Sequence, residues 1–315
     1  MSRRYTVKRD DVSLLNYLFE LFPEQSRSSV KSYLTNGMVL VGGKKVRSHD
    51  WPLRKGDAID ILSKGESMGD RMMDSALEKV NEAGITIVYE DDHLIVIDKR
   101  AGLPVSAKKS ASGKAQDSVG SILTDYMRSQ KRAGLKAGVS GYDAPSKVFI
   151  VHRLDVNASG LMILAKDERT RDLMLSKWSE TVLRHGFTAV VSGRPEKEEG
   201  SISTLIKEDE GGGRVISGHN DGDGQLATTG YTLLQAGKKH SLVEFVPQTR
   251  RKHQIRVHAS YELGTPILGD QRYGSKETFH GRIALHADSL TIRNPYGGRI
   301  MEFRSPVPES FLKLI

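Results

Sequence analysis

The sequence predicts an α+β protein: a large domain on a mixed or antiparallel sheet, preceded by a small module of helices and a β-hairpin. Three observations predict it. From Ile85 onward, short β-branched runs outnumber helical patterns. Ahead of residue 63, apolar residues recur at helical spacing before a Gly-Gly turn. Between the two, residues 63–82 form a polar stretch with two glycines. A chain of 315 residues suits one large domain with a smaller one attached. No cysteine is present, which excludes thiolate catalysis, iron–sulfur clusters and cysteine-ligated zinc. No apolar run reaches the ~20 residues of a spanning helix, and the basic start does not lead into a signal-peptide core. A soluble cytoplasmic protein is expected.

Taken in order, Leu14, Leu15, Leu18, Leu21 and Phe22 form a helical stripe that Asp10 and Asp11 can cap and Pro23 closes. A second short helix has Ser28 or Ser29 at its start, an apolar side of Val30, Tyr33 and Leu34, and Gly37 at its end. Met38–Val41 and Lys44–Arg47 flank Gly42-Gly43 as a hairpin, and Ala58–Leu62 adds a strand. The polar stretch reads as a linker that becomes helical near its end. The expected division is a module at 1–66, a linker at 67–83 and a large domain at 84–315. Residues 1–66 carry 12 basic groups against 8 acidic, about half of the net charge of +8. That bias points to a polyanionic partner.

In the large domain, expected strands are ITIVYE, HLIVID, VFIV, LMILA, FTAVV, SLVEFV and SLTIR, with helices at Asp167–Trp178 and His253–Leu263. Ala107–Ser146, with a helical middle at Val119–Arg132, and Lys207–Gln225 read as surface excursions. Phosphate-binding loops, dinucleotide fingerprints, HExxH and GxSxG are absent. His253 and His258 are five apart without the register of a helical zinc site, and read as structural or substrate-facing. Asp155 follows an apolar strand, between His152-Arg153-Leu154 and the small residues Ala158, Ser159 and Gly160. An aspartate so placed either caps a turn or points into a cleft.

Residues 151–167, VHRLDVNASGLMILAKD, closely resemble the RluA family of pseudouridine synthases. YEDDHLIVIDK at 89–99, AGLPV at 101–105, HQIRVH at 253–258, GTPILGDQRYG at 264–274 and ALHADSL at 284–290 extend the likeness in the family's order over roughly 85–308. At 10–63, SRSSVKSYLTNGMVLVGGKKV and LRKGDAIDI resemble the small αL RNA-binding module of a small-subunit ribosomal protein. That likeness implies RNA-backbone contacts from Arg27, Lys31, Lys44, Lys45 and Arg47.

The family resemblance implies the pseudouridine synthase α+β fold and isomerisation of uridine within RNA, with ribosomal RNA favoured and transfer RNA the alternative. Nothing is oxidised or hydrolysed overall, so neither a cofactor nor a metal is implied. A monomer without membrane association is expected. By resemblance, Asp155 is the catalytic carboxylate, Arg256 the partner that keeps it charged and oriented, and Arg153 the residue that fills the stack vacated by a flipped nucleotide. His152 would contact a neighbouring phosphate or base, and Lys99 and Tyr273 would stand at the rim. One departure matters chemically. Phe187 stands where these enzymes usually carry a tyrosine that stacks on the base and has been considered as acceptor of the carbon-5 proton. Phe187 can stack but takes no proton, which leaves another base, slow turnover or lost activity. A distant branch of the synthases also uses phenylalanine there. The rival reading is a weak or inactive RNA-binding or ribosome-assembly protein on the same scaffold. Nucleoside hydrolysis is disfavoured, because no motif places a second carboxylate to activate water.

Overall fold

The computed structural model describes residues 3–10, 12–35, 37–42, 44–46, 48–62, 64–107, 116–136, 146–208, 215–218 and 224–315. The chain forms two compact units, Met1–Lys79 with Thr124–Ser146, and Val80–Leu123 with Lys147–Ile315.

In the first unit the elements are β1 (Arg3–Thr6), β2 (Val12–Ser13), α1 (Leu14–Leu21), α2 (Arg27–Thr35), β3 (Val39–Val41), β4 (Lys44–Lys45), β5 (Pro52–Leu53) and β6 (Ala58–Ile61). Strands β1, β6, β3 and β4 lie in that order in an antiparallel sheet. Leu14 and Leu18 of α1, Val30 and Leu34 of α2, and Val39, Ile59 and Ile61 share one core. The helical spacing is thus converted into burial, the main stabilising term. The caps differ from expectation. Ser13 occupies the α1 cap position, while Asp10 accepts the Lys55 N–H at 2.8 Å. At α2, Ser26 Oγ accepts the Ser29 N–H at 3.2 Å, so the cap lies two or three residues before the expected serines. Gly37 takes the left-handed conformation foreseen for it, with φ of 62°. Helix α3 (Lys64–Glu82) runs through the whole polar stretch. Its Ala76 and Val80, one turn apart, are buried, a short apolar stripe that two glycines obscure in the sequence.

The second unit is built on an eleven-stranded sheet of β7 (Ile85–Glu90), β8 (Leu94–Lys99), β9 (Phe149–Ile150), β10 (Ser159–Ala165), β11 (Val182–Ser192), β12 (Glu199–Glu208), β13 (Val215–Gly218), β14 (Gln225–Ala236), β15 (His240–Pro247), β16 (Leu285–Arg293) and β17 (Ile300–Arg304). The order across it is β13-β12-β14-β15-β11-β16-β10-β8-β7, with β9 beside β10 and β17 beside β16. Among the described strands only β10 and β16 run parallel, so the sheet is mixed. Strand β10 is buried along its whole length, as a strand covered on both faces requires. Helix α4 (Val119–Lys136) has residues in both units; the helices of the second unit are α5 (Glu168–Ser176), α6 (Trp178–Thr181), α7 (Gln254–Val257) and α8 (Glu309–Leu312), with a π-helical turn at His258–Glu262 and a 3-10 turn at Gln271–Tyr273. None of the described helices is long and apolar enough to cross a membrane. The long hairpin of β12 and β14 has no counterpart among the expected strands. Its strand β13, Val215–Gly218, lies within the expected surface excursion at Lys207–Gln225 and pairs with β12.

Two local features lock the site's framework. Gly160, with φ of 114°, lies against the parallel neighbour, where a Cβ would meet the Ala287 carbonyl oxygen at 2.2 Å; only glycine permits that approach. His258 is fully buried, with Nε2 3.1 Å from Thr204 Oγ1 of β12 and Nδ1 2.9 Å from Thr229 Oγ1 of β14. It ties the end of α7 to the sheet. Burial pushes the His258 imidazole down to about 4. Below about pH 6.5 the unfolded chain therefore takes up a proton that the folded chain refuses, and stability falls until the folded ring titrates. Urea unfolding should show stability declining between about pH 6.5 and 4, by up to about 3 kcal/mol from this ring, and His258→Gln should flatten the decline.

Candidate active site

The loop between β9 and β10 carries Arg153 and Asp155 over a cleft of about 1100 Å³ in the second unit. Its backbone is held from below. Lys99, at the end of β8, is completely buried. Its Nζ donates to the carbonyls of Arg100, Leu103, Val156 and Ala158 at 2.8–3.2 Å, stitching residues 100–103 to the segment after Asp155. The Gly102 N–H adds a bond to Val156 O at 2.7 Å. Burial, aided by Arg282, pushes the Lys99 amine down to about 8. The expected place of Lys99 at the rim is therefore corrected: its amine, within bonding distance of four carbonyls, is a buried clamp for the loop that bears Asp155.

Arg256 projects from α7 and brings together residues far apart in the chain. Its Nη1 donates to Asp155 Oδ2 at 2.9 Å, while Nε and Nη2 donate to Asp270 Oδ2 and Oδ1 at 2.6 and 2.7 Å. Side-chain exposure is 26% at Asp155, 11% at Arg256 and 1% at Asp270. The guanidinium therefore links a carboxylate open to the cleft with one sealed inside. Burial opposes the charge of Arg256, but the two aspartates outweigh it and hold the guanidinium protonated more firmly than usual. The bidentate fork to Asp270 fixes the plane of the guanidinium and hence the direction from which Asp155 is held.

His253 lies one residue before α7 in the left-handed region, φ 55°. Its Nε2 is 3.7 Å from Asp155 Oδ1 and its Nδ1 2.7 Å from the hydroxyl of Tyr273. Burial, together with Arg256, Arg272 and Lys252, lowers its affinity for a proton despite Asp155. Of the two histidines left open by the sequence, His253 faces the site and His258 is structural. Tyr273 is buried with Arg256 4.8 Å above its ring, so it supports the pair from beneath and does not stand at the rim.

Phe187 also lines the cleft. It lies in β11 at a register irregularity against β16, between Gly186 and Thr188, the kind of bulge that re-aims a side chain. Its ring meets His185 at 4.5 Å and is mostly covered, at 7% exposure. Arg153 is exposed at the mouth with no ion-pair partner among the described residues. His152 has a different place from the one expected. It is buried, its Nε2 accepts the Ile163 N–H at 2.9 Å, and it packs on Trp178 and His185. Burial, then His185 and Arg250, keep it neutral. A neutral ring bonded to β10 holds the loop and has no charge to offer a phosphate. Arg250 lies 3.9 Å over Trp178 and donates to Val151 O at 2.7 Å, bracing the strand before the loop.

In the first unit, Arg27 and Lys31 are exposed on α2, with Arg27 5.3 Å over the Phe19 ring. Lys44 and Lys45 occupy β4, but their side chains, like the whole of Arg47, lie outside the described residues. Among the described residues no group of three or more His, Asp or Glu is placed to hold a metal ion.

Asp270 had no role assigned from sequence, although it stands in the GDQRYG segment; only its contact with Arg256 brings it into the site. A model of the RNA pseudouridylate synthase family matches residues 93–261. The chain is 30% identical over 294 residues to the uncharacterised RNA pseudouridine synthase YlyB of Bacillus subtilis, spanning 92% of this chain and 88% of that one. It is likewise 30% identical over 304 residues to the ribosomal large subunit pseudouridine synthase C of Rickettsia bellii, covering 94% of each. In fold it is similar to the human RNA pseudouridylate synthase domain containing 4, with a TM-score of 0.55 at 22% identity over 78% of this chain and 94% of that one. With a carboxylate and its guanidinium partner converging in a cleft and a family match over more than half its length, the chain belongs to the RNA pseudouridine synthases.

Proposed function

We propose that the protein converts uridine in structured ribosomal RNA to pseudouridine, with Asp155 acting at the anomeric carbon of a flipped nucleotide. The observation that carries this reading is the Asp155 carboxylate at the cleft surface, held by Arg256 Nη1 at 2.9 Å. Isomerisation breaks the bond between uracil nitrogen 1 and the ribose, turns the base, and joins carbon 5 to the same sugar carbon. The sugar becomes electron-poor as the base leaves, and an adjacent carboxylate stabilises it or bonds to it. Atoms and electrons are conserved, so the reaction needs no cofactor. Arg256 aims the carboxylate, Phe187 stacks on the base, and Arg153 occupies the gap left in the RNA. Extrusion costs a few kcal/mol, which RNA contacts elsewhere offset. The name of the Rickettsia relative specifies the large ribosomal subunit, which favours ribosomal RNA as substrate here.

The division of labour we infer is an RNA-docking module at residues 1–66, a connector at 67–83 and the isomerase at 84–315, acting as a monomer in the cytoplasm. The module's net positive charge, the exposed Arg27 and Lys31 of α2 and the αL-like sequence at 10–63 support backbone contacts that strengthen binding without choosing sequence.

Ribosomal RNA transcripts tritiated at uracil carbon 5 should release tritium to water with the wild-type chain and not with Asp155→Ala; equal release from both would end the catalytic reading. The double substitution Arg27→Gln with Lys31→Gln should weaken RNA binding and flatten its salt dependence by about 1.5 in log–log slope, measured by filter binding across salt concentrations, while leaving thermal stability intact.

A further inference from the structure

We propose that His253 is the general base that removes the carbon-5 proton, the task that Phe187 has no atom to perform. The inference deepens the isomerase reading and rests on it. Once carbon 5 has bonded to the sugar, it carries both that bond and its original hydrogen. The product forms only when the hydrogen leaves as a proton, its electron pair restores the ring double bond, and nitrogen 1 gains a proton. The acceptor must therefore stand beside the carboxylate that faces the sugar carbon.

His253 is there. Its Nε2 lies 3.7 Å from Asp155 Oδ1, on the opposite oxygen from the one that Arg256 engages. No hydrogen-bond donor or acceptor among the described residues lies within bonding distance of that nitrogen, whereas Nδ1 is occupied by Tyr273 Oη at 2.7 Å. When Nδ1–H donates to the tyrosine oxygen, Nε2 carries a free lone pair. Burial, with Arg256, Arg272 and Lys252 opposing Asp155, leaves the ring uncharged near neutrality, so that its free nitrogen is in the base form. Other cleft groups serve poorly. Arg153 and Arg256 hold their protons, Lys252 is ion-paired to Glu208, and His152 and His185 spend Nε2 on the backbone of Ile163 and Leu161.

The backbone adds an independent sign. His253 is one of only two non-glycine residues with positive φ among the described residues; the other, His280, is exposed. A left-handed conformation is strained for a residue other than glycine and persists where surroundings enforce it, commonly at active sites. In the balanced step the proton passes from carbon 5 to His253 Nε2, and nitrogen 1 takes one from the same imidazolium or from water, so no co-reactant is consumed.

His253→Asn tests this. Asparagine tolerates the left-handed backbone and retains an amide to bond Tyr273, but lacks a base at the Nε2 position. Single-turnover conversion would be followed on transcribed large-subunit ribosomal RNA containing uridine, uridine deuterated at carbon 5, or 5-fluorouridine, whose fluorine cannot leave as a proton. The variant should form pseudouridine about 100-fold more slowly and show a deuterium isotope effect that the wild type lacks, yet consume 5-fluorouridine at the wild-type rate. Equal slowing on uridine and 5-fluorouridine would make His253 a positioning residue, and unchanged turnover of uridine would assign the proton to Asp155 or water; either overturns the inference. A wild-type chain that leaves all three RNAs unaltered would remove the isomerase reading and this inference with it.

Discussion

Arg256 directs three N–H bonds to two aspartates of opposite character, one buried and one open to the cleft. The buried member, Asp270, supplies the bidentate contact that fixes the guanidinium plane, and the single bond left over sets where Asp155 can be. A buried charge survives only when it is paired and its remaining protons are bonded. On the inner side Asp270 pairs the guanidinium through two N–H bonds. On the outer side Asp155 stays open to the cleft.

The sheet exists, from the site's point of view, to hold two loops in register with this triad. The loop bearing Asp155 is fixed by the parallel pairing of β10 and β16, which requires glycine at position 160, and by the Lys99 amine beneath it. The turn bearing Arg256 is fixed by His258, bonded to threonines of β12 and β14. Positions 155 and 256 are 101 residues apart, so the distance between their charges is set by the sheet rather than by local chain geometry. That separation explains why single-residue details far from the cleft, such as a glycine or a threonine hydroxyl, bear on its chemistry.

Much of the architecture was legible because apolar periodicity is strong where burial is complete. Strands β8, β10 and β15 are nearly continuous apolar runs, and α1 and α2 show clear helical stripes. The hairpin of β12 and β14 was not legible, because its buried face interleaves threonines with Ile202, Ile206, Ala227 and Tyr231, which dilutes the alternating apolar signal. In the site, the partnership of Asp155 and Arg256 was anticipated from resemblance. The roles of Asp270, Lys99, His152 and His253 were not, because each depends on what lies within 4 Å of it in space. Lys99 illustrates the limit: a lysine at a strand end reads as solvent-exposed until its four carbonyl partners are seen.

The central claim is that the sealed carboxylate of Asp270 governs the reaction through Arg256 without touching RNA. The most direct test is the single-turnover rate of pseudouridine formation by Asp270→Asn, measured beside its RNA affinity and its melting temperature. The account predicts a folded variant with unchanged RNA affinity and chemistry slowed by about 100-fold, the usual consequence of a catalytic group displaced by about 1 Å. A folded variant that turns over at the wild-type rate would show that Asp155 is held by other means, and would contradict it.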